Sequence, residues 1–351
     1  MQKLVIGVMD SALGGLNRFR PDYMILWTTE YEFLILSNGS LNEVYANELD
    51  AHSVKYSVQV IPCVMRPFLL YHETLNFFKK KLPDSLYLNV STNLFYPVLQ
   101  AAANCDVKER IVHSHSSYSA NENFFKRNLI VIMNSLLQKK VNRLTTKRKA
   151  CSSKAAKWLF GKKAEYDFIY NKVNGQKFFF DVGKRQKYRK ELGLKNSLII
   201  GFVGGFNYQK NIFYFFDIAR KLKKIRKDFC IVMFGDGELK DAFEIKLKKY
   251  NLESYFRLLG NRANVNEYYN MFDCLVMPSR FEGLPIVGIE AQVNGLRCFF
   301  SDRITAQTKI TEECEYFSLN KINYLIKILA KLEIRNCGSL HKLPNFKDFI
   351  F

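Results

Sequence analysis

Short apolar runs alternate with longer amphipathic runs through the second half of the chain, and this alternation constrains the fold more than any other feature. The short runs are rich in β-branched and aromatic residues and read as strands: SLIIGFVGG, FCIVMFG, YFRLLG, DCLVMPS and RCFFSD. The longer runs, such as NIFYFFDIARKLKKIRKD and LKDAFEIKLKKYN, repeat apolar residues at helical spacing. Strand–helix–strand alternation predicts a parallel sheet covered by helices on both faces.

The first half repeats this pattern less regularly. Its predicted strands are KLVIGVMD, EFLIL, SVQVIPC, SLYLNV, RIVHSH and FIYNKV. Its predicted helices cover Pro67–Lys81, Thr92–Cys105, Asn121–Leu144 and Ser153–Gly161. The chain has 351 residues, enough for two domains of about 100–200 residues each. We expect an α/β protein with two doubly wound domains, whose ligands bind in a cleft between them, beyond the carboxyl ends of the strands.

The predicted domain boundaries follow the change in composition. An N-terminal domain is expected at 1–170 and a C-terminal domain at 191–335, joined by a polar, basic linker at 171–190. No structure is predicted for the tail at 336–351.

The segment Ser279–Asp302 is the most informative about function. A strand ends at a loop, Arg280–Pro285, and a short helix is expected from there to about Asn294. Pro285 suits the first helical turn and Gly295 suits a left-handed cap. The backbone N–H groups at the start of this helix would therefore face outwards at the carboxyl end of a strand, where they form a binding site for an anion such as a diphosphate.

Two carboxylates flank this predicted anion site. Glu282 lies in the loop and Glu290 lies in the helix, and both suit hydroxyl groups, which donate well to carboxylates. One anion site beside two hydroxyl acceptors matches a nucleotide-sugar. The competing interpretation is a solvated Glu282 and a Glu290 that only caps the helix.

The segment E-G-L-P-x-V-x-x-E, Glu282–Glu290, resembles the E-x7-E motif of the retaining glycosyltransferases of family 4, most closely those of capsular and exopolysaccharide biosynthesis. Other segments match that family in the same order along most of the chain. They are Gly14–Gly15 (its glycine turn), IVHSHS (its histidine strand end), ACSSKAAKWLFG (its last N-terminal helix), GFVGGFNYQKN (its phosphate loop), FGDGEL (the following turn) and LLGNRANV (its base-side loop). The resemblance implies the GT-B fold, with two Rossmann-like domains facing across a cleft.

The resemblance also implies roles for individual residues. Glu290 would accept the ribose hydroxyls, Glu282 the hydroxyls of the donor sugar, and Lys210 would neutralise the departing diphosphate. The implied donor-binding positions are Gly15, Gly204, Gly205, Asn207, Arg262, Gly283, Leu284 and Glu290.

His115 is the implied catalytic-site histidine, close to the transferred sugar. Strand alternation places His113 on the same side as His115 and Ser114 on the opposite side, so either histidine could be the functional one. A buried, hydrogen-bonded pair is the structural alternative.

Three positions depart from the family pattern. Gly205 stands where the family carries Arg, the segment usually reading N-G-I-D is 171–174 (NKVN), and Pro21 falls where a helix should run smoothly. Loss of one cation at the diphosphate could slow the reaction by on the order of 10²–10³.

The formal net charge is +20, which favours anionic partners. The resemblance implies that the N-terminal domain binds the acceptor and the C-terminal domain the nucleotide-sugar. The basic run Lys139–Lys149 ends a predicted helix of the N-terminal domain and suits an anionic membrane surface, although a merely solvated helix face is the alternative. A nucleic-acid partner is not expected, because the chain has no finger, helix-turn-helix or RNP-like motif. A nicotinamide cofactor is not expected either, because G-x-G-x-x-G is missing.

These inferences predict a retaining, metal-independent hexosyltransferase without a D-x-D motif and without a cofactor besides its co-substrate. It would move a hexose or N-acetylhexosamine from a UDP-sugar to a lipid-linked saccharide. We expect a cytoplasmic protein without a signal peptide or a membrane span, bound peripherally at the inner face of the cell membrane. The alternative is an inactive relative that scaffolds or regulates another glycosyltransferase.

Overall fold

The computed structural model of the chain describes residues 1–9, 24–119, 123–171 and 173–335. The chain divides into two compact units, Met1–Tyr170 and Asn171–Phe351. Each unit is built on one parallel β-sheet that helices cover. The predicted fold class of two Rossmann-like α/β domains is therefore confirmed.

The described residues of the first unit form seven parallel strands in the order β3-β2-β1-β4-β5-β6-β7. The strands are β1 (Gln2–Met9), β2 (Tyr31–Ser37), β3 (Tyr56–Val60), β4 (Ser85–Val90), β5 (Glu109–Ser114), β6 (Lys147–Ala150) and β7 (Asp167–Phe168). The helices are α1 (Glu43–Ala51), α2 (Pro67–Lys81), α3 (Tyr96–Asn104), α4 (Phe124–Leu144) and α5 (Ser153–Phe160).

Both faces of the first sheet are buried. Val5 and Leu34 belong to the core on the side of α2–α5, whereas their neighbours Leu4 and Phe33 belong to a second core on the other side. This explains why the strands read as nearly continuous apolar runs, as expected for a parallel sheet between two helical layers.

The second unit holds six parallel strands in the order β10-β9-β8-β11-β12-β13. The strands are β8 (Leu198–Val203), β9 (Phe229–Phe234), β10 (Phe256–Leu258), β11 (Cys274–Met277), β12 (Arg297–Ser301) and β13 (Cys314–Phe317). The helices are α6 (Gly175–Phe178), α7 (Val182–Glu191), α8 (Phe213–Leu222), α9 (Lys240–Lys249), α10 (Val265–Tyr268), α11 (Ile286–Val293) and α12 (Ile322–Lys331).

The strand order of the second sheet reverses between β8 and β11. From β8 the chain moves outwards through β9 and β10, then returns to add β11 on the other side of β8. Loops that leave the carboxyl ends of two such strands diverge to opposite faces and leave a crevice, where doubly wound folds bind their ligands.

Most of the predicted helices match the structure closely. The helix over Pro67–Lys81 has the predicted bounds, and α4 and α5 differ from their predictions only at their ends. The helix predicted over Thr92–Cys105 begins instead as a 3₁₀ turn, Asn93–Phe95, before α3. The last predicted strand of the first half, FIYNKV, begins at Phe168, whereas β7 covers Asp167–Phe168, so the two overlap at one residue.

The predicted linker at 171–190 is wrong for the residues that the structure describes. They include α6 and most of α7, which belong to the second unit. Arg185 and Arg189 of α7 are 3% and 4% exposed, because both bind the carboxylate of Asp273 at the start of β11. The distances from guanidinium nitrogen to carboxylate oxygen are 2.5 and 3.1 Å. The basic run is therefore a packed helix.

We predict that Asp273→Asn lowers the free energy of unfolding of the second unit by about 3–5 kcal/mol, because it leaves two buried guanidinium groups without their counter-charge. The measurement is the urea midpoint at constant slope. Asp228→Asn is the matched control, since the carboxylate of Asp228 pairs with Arg226 at a 56% exposed position and should cost at most about 1 kcal/mol. Equal losses in the two variants would contradict the prediction.

Candidate functional site

Two loops at the carboxyl edge of the second sheet lie against each other backbone to backbone. After β8, the N–H of Gly204 donates to the carbonyl of Phe234, and the N–H of Phe206 donates to the carbonyl of Asp236, both at 2.9 Å. A Cβ on Gly235 would lie 1.9 Å from the carbonyl oxygen of Gly204, and Gly235 has a φ of +136°. Only glycine fits at this position, so the phosphate loop depends on the turn after β9.

The phosphate loop delivers a lysine to one of the predicted carboxylates. The ammonium of Lys210 lies 2.7 Å from Oε1 of Glu282, and the amide of Gln209 donates to Oε2 at 2.9 Å. The Glu282 side chain is only 6% exposed, so the interpretation of a solvated carboxylate is wrong. Asn207 accepts the backbone N–H of Lys210 at 3.0 Å and so shapes the loop.

An arginine stands beside this loop although position 205 is glycine. A Cβ on Gly205 would lie 3.0 Å from the amide nitrogen of Asn207. Arg280, in the loop after β11, donates its backbone N–H to the carbonyl of Gln209 at 2.8 Å. Its guanidinium lies over the ring of Tyr208, 4.6 Å from the centroid, a distance at which a cation–π interaction holds the cation in place.

Helix α11 is set close to the sheet by a glycine. Pro285 is its N-cap, one residue before the helical turn in which it was expected. A Cβ on Gly288 would lie 2.9 Å from Cγ2 of Thr308, so the helix can approach its neighbours only because this position lacks a side chain. Gly295 has a φ of +75°, and its N–H donates to Gln292, which confirms the predicted left-handed cap.

The start of α11 presents backbone donors. Among the described residues, the structure gives no acceptor for the N–H groups of Gly283, Leu284, Ile286 and Val287. The carbonyl of Leu284 is occupied, because the amide of the buried Asn171 donates to it at 2.7 Å. Backbone N–H groups that have no acceptor at the start of a helix favour a bound anion.

Glu290 is 3% exposed, and its Oε2 accepts the hydroxyl of Tyr269 at 2.6 Å. Tyr269 is fully buried in the 3₁₀ turn Tyr269–Met271, which follows α10. The carboxylate therefore binds another element rather than only capping its own helix.

The base-side loop is anchored by a hydrogen-bonded acid. Arg262 is exposed, and its Nε donates to the carbonyl of Leu259 at 3.3 Å. Five residues later in the chain, Glu267 accepts hydrogen bonds from the hydroxyl of Tyr188 and the amide of Asn264. These donors, Tyr188 first, lower the pKa of Glu267 to about 2. The ionised acid fastens α10 to α7 beside the loop of Arg262.

Two histidines of the first unit, His113 and His115, contact each other with their rings tilted by 38°. The rings of His113 and His115 have centroids 3.9 Å apart, so they share one side of β5, as alternation predicts. Ser114 points the other way and donates to the carbonyl of Ala155. His115 is 9% exposed, and its Nε2 lies 2.8 Å from Oδ1 of Asn89 at the end of the neighbouring strand.

Two positions that the sequence analysis names, Gly15 and Pro21, lie outside the described residues.

The structure thus brings Asn207, Lys210 and Glu282 into one cluster at the carboxyl ends of β8 and β11. Sequence reasoning missed three residues that contact predicted ones, namely Gln209, Tyr269 and Asn171. It also missed Arg280, which contacts Gln209 and Tyr208. Gln209 and Arg280 lie next to motif residues in the chain. Nothing in the sequence pattern links Tyr269 to Glu290 or Asn171 to Leu284.

Comparison with known proteins identifies a similar family and a similar fold. Residues 184–317, which include all six strands of the second sheet, match the model of the family Glycosyl transferases group 1. The crystal structure of HepE from Anabaena in complex with UDP-glucose has a TM-score of 0.77 at 15% sequence identity, covering 94% of this chain and 90% of HepE. The fold is that of the GT-B glycosyltransferases, and residues 184–317 of the second unit are similar to the group 1 glycosyl transferases.

Two sequence relatives extend the comparison. EpsF of Bacillus subtilis (strain 168) is 32% identical over 211 residues, which are 58% of this chain and 54% of EpsF. The UDP-Gal:alpha-D-GlcNAc-diphosphoundecaprenol alpha-1,3-galactosyltransferase of Escherichia coli is 32% identical over 170 residues, 47% of this chain and 44% of that protein. The chain thus spans about half the length of these relatives.

We predict that Gly235→Ala lowers the free energy of unfolding of the second unit by about 3 kcal/mol, because its methyl group would overlap the Gly204 carbonyl. Gly260→Ala is the control, since Gly260 also has a positive φ, +64°, but no atom within 4 Å of the added carbon. It should cost about 1 kcal/mol, from backbone strain alone. Denaturant midpoints measure both, and equal losses would show that contact between the loops does not constrain the fold.

Proposed function

We propose that this protein is a retaining hexosyltransferase of family 4. It transfers a hexose or N-acetylhexosamine from a nucleoside-diphosphate sugar, with UDP as the nucleotide, to a lipid-linked saccharide in surface polysaccharide synthesis. The observation that carries the proposal is the contact of Lys210 with Glu282 beside the open start of α11. A cation, backbone donors and a carboxylate lie together there, and these are the groups that binding of a sugar diphosphate would require, which supports the proposal.

The Lys210–Glu282 pair suggests how the donor is bound. A diphosphate at the N–H groups of Gly283 and Leu284 would attract the ammonium of Lys210, which lies in the same cluster. One oxygen of Glu282 would then be released from Lys210 and could accept sugar hydroxyls. Binding the donor would exchange partners within the cluster and would leave each buried charge either paired or hydrogen-bonded.

The proposed chemistry needs no covalent nucleophile. The bond between the anomeric carbon and the diphosphate oxygen breaks, and the acceptor hydroxyl forms its bond on the same face. The proton of that hydroxyl passes to the departing diphosphate oxygen, so the leaving group is also the base. Lys210 and the N–H groups of α11 stabilise the charge that develops on the diphosphate, without a metal ion. His115, fixed by Asn89, would contact the transferred sugar.

The substrates of similar proteins support this choice. The Escherichia coli relative is named for UDP-Gal and a diphosphoundecaprenol-linked acceptor, and HepE was crystallised with UDP-glucose. A UDP-sugar donor and a lipid-linked saccharide acceptor are the substrates we propose by similarity.

We also propose peripheral attachment to the inner face of the cell membrane. In the part of the chain that the structure describes, every helix is too short or too polar to cross a bilayer. Within the basic run Lys139–Lys149, Lys139 and Arg143 are exposed, whereas Arg148 is held by hydrogen bonds to Asn142. Each exposed cation near anionic lipid contributes roughly 1 kcal/mol.

The proposal predicts micromolar binding of UDP that Glu290→Gln weakens at least about tenfold, because a charged acceptor for the ribose hydroxyls is lost. Isothermal titration calorimetry with UDP and UDP-sugars measures the affinity. Tyr269→Phe is the control: it removes the hydroxyl that binds Glu290 but keeps the carboxylate, so UDP affinity should change little. Unchanged affinity in Glu290→Gln would place the ribose elsewhere, and no binding by the native chain would favour an inactive relative.

A second prediction concerns Arg280, which we propose as the diphosphate cation in place of the arginine missing at Gly205. Arg280→Gln should weaken UDP binding about tenfold, and the double variant Gly205→Arg/Arg280→Gln should recover it. Arg220→Gln is the matched control, because Arg220 is exposed near the far end of α8. Native affinity in Arg280→Gln would rule out this role, and a sharp gain of turnover in Gly205→Arg alone would show that the native chain is a weakened enzyme.

A further inference from the structure

Helix α4 exposes a line of large apolar side chains. Phe125, Leu129, Ile132 and Leu136 are 81%, 50%, 57% and 75% exposed. Their spacing of four, three and four residues places them along one side of the helix. We call these four residues the α4 stripe.

The opposite side of α4 packs against the core of the first unit. The stripe is therefore not the side of the helix that belongs in the core. Asn134 and Val141 are 1% and 2% exposed. The Asn134 side chain accepts the backbone N–H of Asn93 at 2.6 Å and donates to the carbonyl of Trp158 at 2.8 Å. A rotation of the helix that buried the stripe would break these bonds in the interior, at a cost of about 1–3 kcal/mol for each group left unsatisfied.

Basic residues continue the same line, and the helix contains no Asp or Glu. Lys139 lies seven residues after Ile132 and Arg143 lies seven residues after Leu136, both exposed and both on the side of the stripe. The surface therefore joins a narrow apolar ridge to a cationic end. A carboxylate-bearing protein partner would match the cationic end alone, whereas an anionic lipid bilayer matches both parts.

We propose that the α4 stripe inserts into the boundary between headgroups and acyl chains of an anionic phospholipid bilayer. The helix would lie parallel to the surface, with Lys139 and Arg143 at the lipid phosphates. Its 21 residues extend about 32 Å. This inference goes beyond attraction by the basic run, because it requires apolar burial that salt does not screen.

The experiment is vesicle flotation of the full chain at low and high salt, with phosphatidylcholine vesicles that contain or lack phosphatidylglycerol. The native chain should float with the anionic vesicles and remain partly bound at high salt. Leu129→Gln/Leu136→Gln should reduce binding at least about tenfold and abolish the salt-resistant part, because two apolar side chains no longer enter the bilayer.

Ile225→Gln/Ile245→Gln is the matched control. Both isoleucines lie in the second unit and are 61% and 67% exposed, so this variant loses similar apolar surface away from the stripe and should float like the native chain. As a direct readout, the variant Leu136→Trp should be quenched by lipids with brominated acyl chains. UDP titration of every variant keeps this test separate from the proposed function, because donor binding should be unchanged throughout.

Three results would overturn the inference. Full release of the native chain by high salt would show electrostatic binding without insertion. Equal flotation of the stripe variant and the native chain would show that the stripe stays in water. A dimer of the native chain that the stripe substitutions dissociate, seen by light scattering, would identify the stripe as a contact between two copies.

Discussion

Asp273 accepts hydrogen bonds from three separate segments of the second unit. Its carboxylate binds Arg185 and Arg189 of α7, the backbone N–H of Ile199 in β8 and the backbone N–H of Arg335. Because Asp273 directly precedes β11, one buried charge fixes the amino ends of the two strands between which the strand order reverses. The carboxyl ends of the same strands lead into the phosphate loop and to α11. The geometry of the candidate site therefore depends on an ion cluster at the opposite edge of the sheet.

The carboxylates of the site follow the same rule as Asp273. A buried charge is costly unless it is paired or hydrogen-bonded, and both predicted hydroxyl acceptors are satisfied in the structure. Glu290 accepts a hydrogen bond from the hydroxyl of Tyr269, which carries no charge. Glu282 forms an ion pair with the ammonium of Lys210, and a diphosphate can attract that ammonium. The two acids thus differ: one is held in place by a neutral donor, and the other is bound to a cation that the donor substrate can compete for.

The sequence predicts those elements that neighbouring residues determine. It does not predict contacts between residues that lie far apart in the chain. The helix over Pro67–Lys81 and the Gly295 cap follow from neighbouring residues, and the parallel sheets follow from the alternation of strands and helices. The sequence predicts a linker where helix α7 lies, because the partner of this helix, Asp273, is 88 residues from Arg185 and 84 from Arg189. Hydropathy cannot show that two arginines are buried. The stripe was missed because α4 carries apolar residues all around, and only packing decides which ones face the solvent.

On the proposed mechanism, the exchange at Lys210 has an electrostatic consequence beyond binding. Once its ammonium faces the diphosphate, Glu282 keeps the amide of Gln209 and regains its full negative charge in a site with little water. That charge would lie beside the sugar while positive charge develops at the anomeric carbon, and a fixed carboxylate stabilises such charge more strongly there than in water. Lys210 would favour departure of the diphosphate and, by leaving Glu282, would favour the cationic sugar. One ion pair could therefore assist both halves of the bond cleavage.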